Sequence, residues 1–276
     1  MTRSGGPDGR DEDGGIEGPG IDGRDIDGHD EDGGIEGLDE ARRRLAGSRS
    51  VAVLTGAGVS AESGVPTFRG PGGFWRGRAP EDLATPAAFA RDPVAVWEFY
   101  RWRIASLRGV TPNPAHHALA ALERRVPDFL LVTQNVDGLH QAAGSRRVLE
   151  LHGTLRAVRC VRCRVEREAE EALHGLAAAE LPSCPDCGGL LRPAVVWFGE
   201  ALPDGALAAA ERAARAADLL LVAGTSALVQ PAASLAWTAK AAGAAVIEVN
   251  PDETPVTEIA DVSLRGPAGR ILPRLR

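Results

Sequence analysis

The chain has 276 residues, an apolar content of 44% and a formal net charge of −7 at pH 7. This length can bury one sizeable core, or a core and a small module. No apolar run approaches the roughly eighteen residues of a membrane-spanning helix, and no apolar segment follows the charged N-terminus. We therefore expect a cytoplasmic protein with neither a membrane partner nor a secretory signal.

The first 38 residues differ in composition from the rest. They contain eight Asp and four Glu against three Arg, a formal charge of −9, which leaves +2 for the remainder. The octapeptide DEDGGIEG occurs twice, at residues 11–18 and 30–37. Because apolar residues are too few to offset the entropy of ordering the chain, we expect residues 1–38 to be a disordered acidic tail. A calcium-binding glycine–aspartate repeat is less favoured, because two irregular copies are too few to stack.

A helix over residues 38–46 and a buried strand over residues 51–54 are predicted next. The strand is a continuous apolar run, typical of a parallel strand covered on both faces. Glycines follow at Gly56, Gly58 and Gly64, a spacing that departs from the dinucleotide-binding pattern G-x-G-x-x-G. The residues after Gly58 can open a helix whose free N–H groups face an anion. On this stretch alone, a phosphate-binding turn and a structural turn both remain open.

The middle of the chain is predicted as a loop and two helices. Residues 71–92 are rich in Gly and Pro, so we expect an irregular, mobile loop near the ligand. Residues 93–107 have the length of a helix and carry several aromatic side chains. Asn113 before Pro114 is a typical helix start, with an N-cap followed by proline at the first helical position, and this helix should reach Arg125.

The remaining segments alternate strands with helices. We predict strands over residues 129–133, 148–151, 218–223 and 245–249, an extended segment over 195–198, and helices over 204–217 and 231–242. This alternation predicts an α/β fold with a doubly wound, Rossmann-like parallel sheet. Small or polar residues follow several of the strands, at the edge where open α/β sheets bind ligands. The sequence therefore predicts a ligand site at the carboxyl ends of the strands.

Two Cys-x-x-Cys pairs predict a zinc site. Residues 164–183 separate Cys160 and Cys163 from Cys184 and Cys187, a spacing typical of four-thiolate zinc sites. Four thiolates complete a tetrahedron and leave no position for water, so we expect a structural ion. A redox dithiol is less favoured, because two paired knuckles are needed only for a metal. Unpaired thiols also suit a reducing compartment.

The predicted zinc site defines the domain organisation. We expect a small zinc-binding module over residues 156–192, inserted in a Rossmann-like domain formed by residues 39–155 and 193–276. The body of the chain is nearly neutral, and residues 165–181 carry many Glu without a basic and aromatic pattern. We therefore expect no specific nucleic-acid partner.

Several motifs, taken in order, resemble those of the sirtuins, the NAD-dependent protein deacylases. Besides the two cysteine pairs, they are GAGVSAESGVPTFR at residues 56–69, TQNVDGLH at 133–140, ELHG at 150–153, VVWFGE at 195–200 and GTS at 224–226. The resemblance covers roughly residues 39–276, and several motifs in one order are far more specific than any single one. It implies a protein-lysine deacylase that consumes NAD, transfers the acyl group to ADP-ribose and releases nicotinamide.

The resemblance also implies roles for individual residues. His152 would be the catalytic base, although a lone histidine is more often a satisfied surface or core residue; His140 would be structural, and His116 is assigned no chemistry. The residues implied at the NAD site are Gly56, Ala57, Gly58, Ser60, Glu62, Thr67, Phe68, Arg69, Trp75, Gln134, Asn135, Asp137, Gly224, Thr225, Ser226, Asn250 and Ala268. The residues implied at the acylated-lysine peptide are Ala79, Tyr100, Arg103, Val195, Trp197, Phe198 and Gly199. The extended segment 195–198 would pair with the peptide backbone to backbone.

Tyr100 and Arg103 bear on the acyl group. Their i, i+3 spacing places them on one face of a helix, and a surface cation beside a core aromatic is the plain alternative. Y-x-x-R here, with Ala79 in the preceding loop, resembles the sirtuin subclass that prefers succinyl-, malonyl- and glutaryl-lysine. An acyl chain ending in a carboxylate needs a cation, which Arg supplies with two parallel hydrogen bonds while Tyr adds a third. The small side chain of Ala79 would leave room for the longer chain.

Two other classes of function stay open from the sequence. An NAD-dependent dehydrogenase is disfavoured because the G-x-G-x-x-G pattern and an acidic ribose-binding residue are absent from the expected places. Formation of NADH instead of nicotinamide would identify it. A non-catalytic zinc-containing binding module is the other alternative, and calorimetric measurement of NAD binding would separate it from an enzyme.

Overall fold

The computed structural model describes residues 34–67, 75 and 77–275. From Ile35 onward, the described residues belong to one unit. Phe68, Arg69 and most of the predicted acidic tail lie outside the described residues. No helix within the described ranges is long and apolar enough to cross a membrane.

The described elements alternate strands with helices for most of the chain. The strands are β1 (Ser50–Thr55), β2 (Asp128–Thr133), β3 (Val148–Glu150), β4 (Gly153–Cys160), β5 (Glu166–Glu168), β6 (Leu191–Val195), β7 (Leu219–Ala223), β8 (Ala245–Asn250) and β9 (Val262–Arg265). The α-helices are α1 (Leu38–Gly47), α2 (Gly58–Ala61), α3 (Pro80–Leu83), α4 (Pro86–Arg91), α5 (Pro93–Ser106), α6 (Pro114–Arg125), α7 (Leu139–Ala142), α8 (Ala169–Leu173), α9 (Ala206–Ala216), α10 (Ser234–Ala241) and α11 (Ala268–Ile271). Short 3₁₀ helices lie between β8 and β9, at Pro255–Glu258, and after α11, at Leu272–Arg274.

The large sheet is parallel and has the order β3-β2-β1-β7-β8-β9. In its centre, Val53 of β1 is in register with Leu131 of β2 on one side and Leu221 of β7 on the other. The chain moves outward from β1 first in one direction and then in the other, so the order reverses between β1 and β7. This confirms the predicted doubly wound sheet, and it places the ligand edge at the carboxyl ends of these two strands.

Both faces of the sheet are covered because side chains alternate along each strand. Val51 and Val53 of β1 lie in the core beneath α1, α6 and α11. Ala52 and Leu54 lie in the opposite core, beneath α9 and α10. Each fully buried Val or Leu stabilises the fold by about 1.5–3 kcal/mol. The two cores hold the strand ends rigidly enough to carry a site.

The prediction of an irregular loop over residues 71–92 is wrong for its second half, which contains α3 and α4. Thr85 caps α4, since its hydroxyl accepts a hydrogen bond from the Ala88 N–H at 3.0 Å, and Pro86 occupies the first helical position. Asn113 and Pro114 start α6 in the same way, as predicted. The cap and proline at residues 85–86 could therefore have identified α4 as well.

The acidic tail ends earlier than predicted. Leu38 begins α1 and is only 5% exposed, because it packs in the core beside Leu45 and Val262. Ile35 is partly buried against the same core. Residues 35–38 thus belong to the folded unit, while the rest of the predicted tail, residues 1–33, lies outside the described residues.

Deleting residues 1–33 is expected to change activity on small peptides by less than about twofold, because the described core begins only at Ile35. Deleting residues 1–38 also removes Leu38 and is expected to lower stability by about 2–5 kcal/mol, the usual cost of losing a buried Leu side chain. Thermal melting and peptide turnover of both truncations test this. Equal melting temperatures for the two would contradict the assigned boundary.

A second, antiparallel sheet with the order β5-β4-β6 stands beside the large one. It spans Gly153 to Val195, and so extends beyond both ends of the module predicted over residues 156–192. Gly153 of β4 is in register with Val195 of β6. Just beyond them, the Val196 N–H donates to the His152 carbonyl oxygen at 2.8 Å. The small sheet therefore reaches the ligand edge through His152 and Val196, although the division into domains stays a prediction.

Candidate active site

A cavity of about 1430 Å³ opens at the carboxyl ends of β1, β2, β7 and β8. The predicted site residues that line it are Gly56, Ala57, Gly58, Ser60, Glu62, Thr67, Tyr100, Arg103, Gln134, Asn135, Asp137, His152, Val195, Trp197, Phe198, Gly199, Gly224, Thr225, Ser226, Asn250 and Ala268. The structure thus brings together residues from most of the motifs that the sequence singled out. Ligand pockets for one small molecule are typically about 300–1,000 Å³, so this cavity has room for two reactants.

The glycines after β1 allow two strand ends to approach each other. The Gly58 N–H donates to the Gly224 carbonyl oxygen at 2.8 Å. A Cβ on Gly58 would lie 2.8 Å from that oxygen, and one on Gly56 would lie 2.7 Å from the Thr225 Cβ. The sequence left a phosphate-binding turn and a structural turn open, and these contacts show that both glycines are needed for packing against the end of β7.

Ser60 lies at the centre of a buried hydrogen-bond network. Its hydroxyl donates to Asp137 Oδ2 at 2.7 Å and accepts from Asn135 Nδ2 at 3.1 Å. The same Asn135 nitrogen also donates to the Gly56 carbonyl oxygen at 3.1 Å. The three polar side chains are therefore fixed before any ligand binds, which is the preorganisation that a reactive site requires.

His116 also belongs to this network, although the sequence assigned it no chemistry. Its Nδ1 accepts from the Asn113 N–H at 3.2 Å, which leaves the hydrogen on Nε2, 3.3 Å from the Ser60 hydroxyl oxygen. Burial lowers the pKa of His116 to about 4, so the ring is neutral at physiological pH. His140, predicted to be structural, has its ring tilted against that of His116 with 4.9 Å between ring centres, and its Nε2 lies 3.0 Å from Thr55 Oγ1.

His152 is oriented by a backbone group. Its Nδ1 lies 3.1 Å from the Gln134 carbonyl oxygen, and because a carbonyl can only accept, Nδ1 carries the hydrogen. Nε2 of the neutral ring then keeps its lone pair. Gln134 is itself held, since its Nε2 donates to Thr225 Oγ1 at 3.0 Å. Desolvation lowers the pKa of His152 below its ordinary value of 6.5, so the ring is a free base at neutral pH.

The dependence of activity on pH follows from this lowered pKa. kcat/KM is expected to stay constant on acidification until the pH is below 6.5 and then to fall, because protonation removes the base. The stability of the fold declines in the same direction, since the unfolded chain binds the proton at a higher pH than the folded one. Steady-state rates between about pH 5 and about pH 8 test this. An acid limb centred above 6.5 would contradict it.

A buried carboxylate organises the end of the cavity beside Asn250. Glu248 of β8 is 1% exposed and accepts hydrogen bonds from Thr254 Oγ1 and, at 3.0 Å, from the Arg265 guanidinium. The Asn250 amide donates to the Asp252 carbonyl oxygen at 3.0 Å. These hydrogen bonds thus fix the loop after β8, which lines the cavity.

The C-terminal segment closes the same end. Ala268 is 3% exposed and lines the cavity at the start of α11. The next residue, Gly269, donates its N–H to Glu62 Oε2 at 2.6 Å. Glu62 therefore connects the glycine loop to α11.

Another part of the cavity wall is formed by the pair on α5, Tyr100 and Arg103. Tyr100 is 1% exposed, and its hydroxyl oxygen accepts from the Trp197 indole N–H at 2.9 Å. The Arg103 guanidinium carbon lies 5.9 Å from the centre of the Tyr100 ring. Desolvation lowers the pKa of Arg103, yet a guanidinium stays protonated in proteins. A cation and a phenol thus share this part of the cavity.

Two predicted contacts do not line the described cavity. Trp75 is 8% exposed and packs edge-on against Phe99, with 5.9 Å between ring centres. Ala79 is the N-cap of α3, and Pro80 and Ala84 line the cavity instead. Local spacing could not decide which residue of this loop turns inward.

Sequence reasoning missed other lining residues. They include Phe99, Trp102 and Ser106 on α5, Val136 after β2, Leu228–Pro231 after β7 and Pro251–Pro255 after β8. The lining residues in the loops after the strands could have been found, because these loops follow predicted strand ends at the ligand edge. Those on α5 depend on how the helix is rotated, which its aromatic-rich sequence does not define.

The four predicted cysteine ligands lie together, and their Sγ atoms are all within 4.8 Å of one another. Cys160 and Cys187 are 3.5 Å apart, and Cys163 and Cys184 are 3.6 Å apart. Zn–S bonds of about 2.3 Å in a tetrahedron require sulfur atoms about 3.8 Å apart, so the cluster fits zinc. The N–H groups of Cys163 and Arg162 point at the Cys160 sulfur and lower the pKa of this thiol, which favours the thiolate.

Removing the metal with a tight chelator, or replacing Cys163 with Ser, is expected to unfold the small sheet and abolish activity. Structural zinc supplies about 10–16 kcal/mol of apparent binding free energy, which a module of this size cannot replace by packing. Circular dichroism, thermal melting and metal content measure the effect, with the exposed neighbour Ser183→Ala as the control. A metal-free protein that stays folded but fails in the chemical step would point to a catalytic metal instead.

Comparison with known proteins identifies the family. The model of the Sir2 family matches residues 56–231. The chain is 54% identical over 233 residues to NAD-dependent protein deacylase 1 of Archaeoglobus fulgidus, which covers 84% of this chain and 94% of that protein. A solved Sir2 homolog–NAD complex matches with a TM-score of 0.81 and 53% identity, over 86% of this chain and 91% of that one.

A solved Sir2–p53 peptide–NAD⁺ complex is also similar, with a TM-score of 0.79 and 36% identity, over 86% of this chain and 96% of that one. The family model spans more than half of this chain, and the sheet order, the cavity and the cysteine cluster agree with the resemblance found in the motifs. The chain therefore belongs to the Sir2 family, the sirtuins.

Proposed function

We propose that this protein is an NAD-dependent protein-lysine deacylase in which His152 is the catalytic base. The observation that carries the proposal is a neutral, oriented imidazole at the wall of a cavity large enough for two reactants. NAD, when bound, supplies the bond between ribose and nicotinamide whose cleavage gives a carbon open to attack by the acyl oxygen. His152 would accept a proton from a ribose hydroxyl, the general-base step that lets the acyl group migrate.

The NAD site would be formed by the glycine loop and the strand ends. Ser60, Asn135 and Asp137 present a hydroxyl, an amide and a carboxylate group, respectively, in fixed positions, which fits the nicotinamide end of the cofactor. Asn250 and Ala268 also line the cavity and would bind the adenosine part of NAD, since an amide suits ribose hydroxyls and a small apolar residue suits adenine. Phe68 and Arg69 are proposed contacts from the motif alone. The structural zinc ion would be bound by Cys160, Cys163, Cys184 and Cys187.

Acylated-lysine peptides or proteins are the proposed substrates. Phe198 and Leu228 are 43% and 57% exposed where they line the cavity, so an apolar surface is available to a partner. The Val196 N–H donates to the His152 carbonyl oxygen and the Phe198 N–H to the Ala84 carbonyl oxygen. The Trp197 N–H donates to the Glu200 carboxylate. The predicted backbone pairing would therefore use the carbonyl groups of this segment.

Acyl chains ending in a carboxylate are the proposed preference. Arg103 and Tyr100 offer a guanidinium and a phenol inside the cavity, where a carboxylate would be partly removed from water. Charge-assisted hydrogen bonds of this kind are roughly twice as strong as neutral ones. We infer succinyl- and malonyl-lysine as substrates alongside acetyl-lysine.

Mass spectrometry of a panel of acylated peptides incubated with NAD tests the function. Loss of the acyl group, release of nicotinamide and appearance of acylated ADP-ribose are expected, with faster turnover of the succinyl peptide. Formation of NADH without nicotinamide would favour a dehydrogenase. Binding of NAD without turnover of any peptide would favour a non-catalytic module.

The proposal includes a cytoplasmic location and no specific nucleic-acid partner. The four cysteines are free thiols, which suits a reducing compartment. Outside residues 1–38 the formal charge is only +2, too small for an electrostatic footprint on nucleic acid.

A further inference from the structure

The hydrogen bond between Trp197 and Tyr100 has a fixed direction. The Trp197 indole Nε1 lies 2.9 Å from the Tyr100 hydroxyl oxygen, and the two residues are 2% and 1% exposed. An indole N–H can only donate, so the phenol oxygen is the acceptor. The phenol hydrogen must therefore point away from Trp197.

The neighbouring cation restricts that hydrogen further. Arg103 has donors only, so the Tyr100 hydroxyl cannot donate to it. Burial raises the pKa of Tyr100, so the hydroxyl keeps its hydrogen at neutral pH. Both side chains line the cavity. Tyr100 and Arg103 then present hydrogen-bond donors together, which matches a carboxylate and not the methyl group of an acetyl chain.

Trp197 is itself held on several sides. The Arg192 guanidinium carbon lies 3.3 Å from the centre of its ring, and Phe89 packs on it at 5.2 Å. Glu200 accepts from Arg192 at 2.5 Å and from the Trp197 N–H at 2.9 Å. These contacts fix the indole, so the direction of its N–H is set before a substrate binds.

We propose that Trp197 is a positioning residue for acyl selectivity, because its indole N–H holds the Tyr100 hydroxyl as a donor toward the acyl carboxylate. This inference rests on the proposed deacylase activity and its preference for acidic acyl groups. It extends the determinants of that preference from α5 to Trp197 in the segment after β6, whose proposed role so far is contact with the peptide.

Trp197→Phe tests the proposal, since it keeps an aromatic ring against Arg192 and Phe89 but removes the N–H. On matched succinyl and acetyl peptides, KM for the succinyl peptide is expected to rise about three- to tenfold with kcat little changed, which is the usual effect of one hydrogen bond. Because Trp197 lines the cavity, the acetyl peptide serves as the reference, and the ratio of succinyl to acetyl kcat/KM is expected to fall about three- to tenfold. Equal losses on both peptides would show a merely structural role and overturn the proposal.

A double-mutant cycle with Tyr100→Phe gives a second readout. If Trp197 acts through the phenol, Trp197→Phe in the Tyr100→Phe background is expected to change KM for the succinyl peptide by less than about twofold. An undiminished effect in that background would overturn the proposal. If Trp197→Phe fails to fold, Tyr100→Phe alone tests the proposal. An unchanged preference for the succinyl peptide in that variant would show that the Tyr100 hydroxyl does not determine acyl selectivity, and would overturn the proposal.

Trp97→Phe is the matched control. Trp97 is 1% exposed on the same helix, and its indole N–H donates at 2.9 Å to the Leu191 carbonyl oxygen, but neither residue lines the described cavity. This variant is expected to keep the ratio of succinyl to acetyl activity. The same loss of ratio as in Trp197→Phe would overturn the proposal. A wild type inactive on every peptide would instead refute the proposed function.

Discussion

Replacing His152 with Ala is expected to lower turnover by about 10²-fold or more, the usual contribution of a general base. NAD binding and folding are expected to survive, because the ring contacts mainly the Gln134 carbonyl oxygen and the cavity. Single-turnover rates measure the chemical step, and calorimetry measures NAD affinity.

The exposed His174 at the end of α8 provides the control for this substitution. His174→Ala is expected to leave turnover unchanged, so a general effect of removing an imidazole can be separated from a role in the site. Near-normal turnover in His152→Ala would remove His152 from the proposed mechanism. A loss of NAD affinity as large as the loss of rate would give the ring a binding role instead.

Arg103→Met is expected to lower kcat/KM for a succinyl-lysine peptide by at least about 30-fold. Removing one partner of a desolvated charge pair costs about 2–5 kcal/mol, and each 1.4 kcal/mol is about tenfold. Met keeps an unbranched apolar chain of similar length, so packing beside Phe99 and Tyr100 is retained. The acetyl peptide does not use the guanidinium and is expected to react at nearly the wild-type rate.

Arg108→Met serves as the matched control, because Arg108 is exposed just beyond α5 and does not line the described cavity. It removes the same charge from the same region of the chain and is expected to alter neither substrate's kcat/KM by more than about twofold. Equal losses on both peptides in Arg103→Met would mean that Arg103 supports the fold or NAD binding. The acidic-acyl assignment would then fall.

The sheet and its ligand edge could be predicted because their determinants are local. The apolar run of β7 is followed directly by Gly224 and Thr225, and that of β2 by Gln134 and Asn135. Each strand end can therefore be recognised from the residues next to it. The cysteine ligands were predictable for the same reason, since a knuckle of four residues fixes two of them. Whether each residue at the ligand edge has its proposed role stays a prediction.

What could not be predicted depends on contacts between distant parts of the chain. The packing of Gly58 against Gly224 and the hydrogen bond from Trp197 to Tyr100 both require the folded arrangement of several elements. The partial burial of Ile35 was missed because Ile35 lies in the octapeptide that repeats an earlier part of the acidic tail. The inward residue of the α3 loop was missed because a turn allows more than one neighbour to face the cavity.

The pairing of Gly153 with Val195 has a consequence for the order of folding. Closing this loop of roughly forty residues costs chain entropy that grows with the logarithm of its length. Metal capture by Cys160 and Cys187 would leave only two short arms to align, β4 and β6. We therefore expect pairing of β4 with β6 to follow zinc binding during refolding and to be lost without the metal. The base and the peptide-binding segment would then be aligned early, by an ion that takes no part in the reaction.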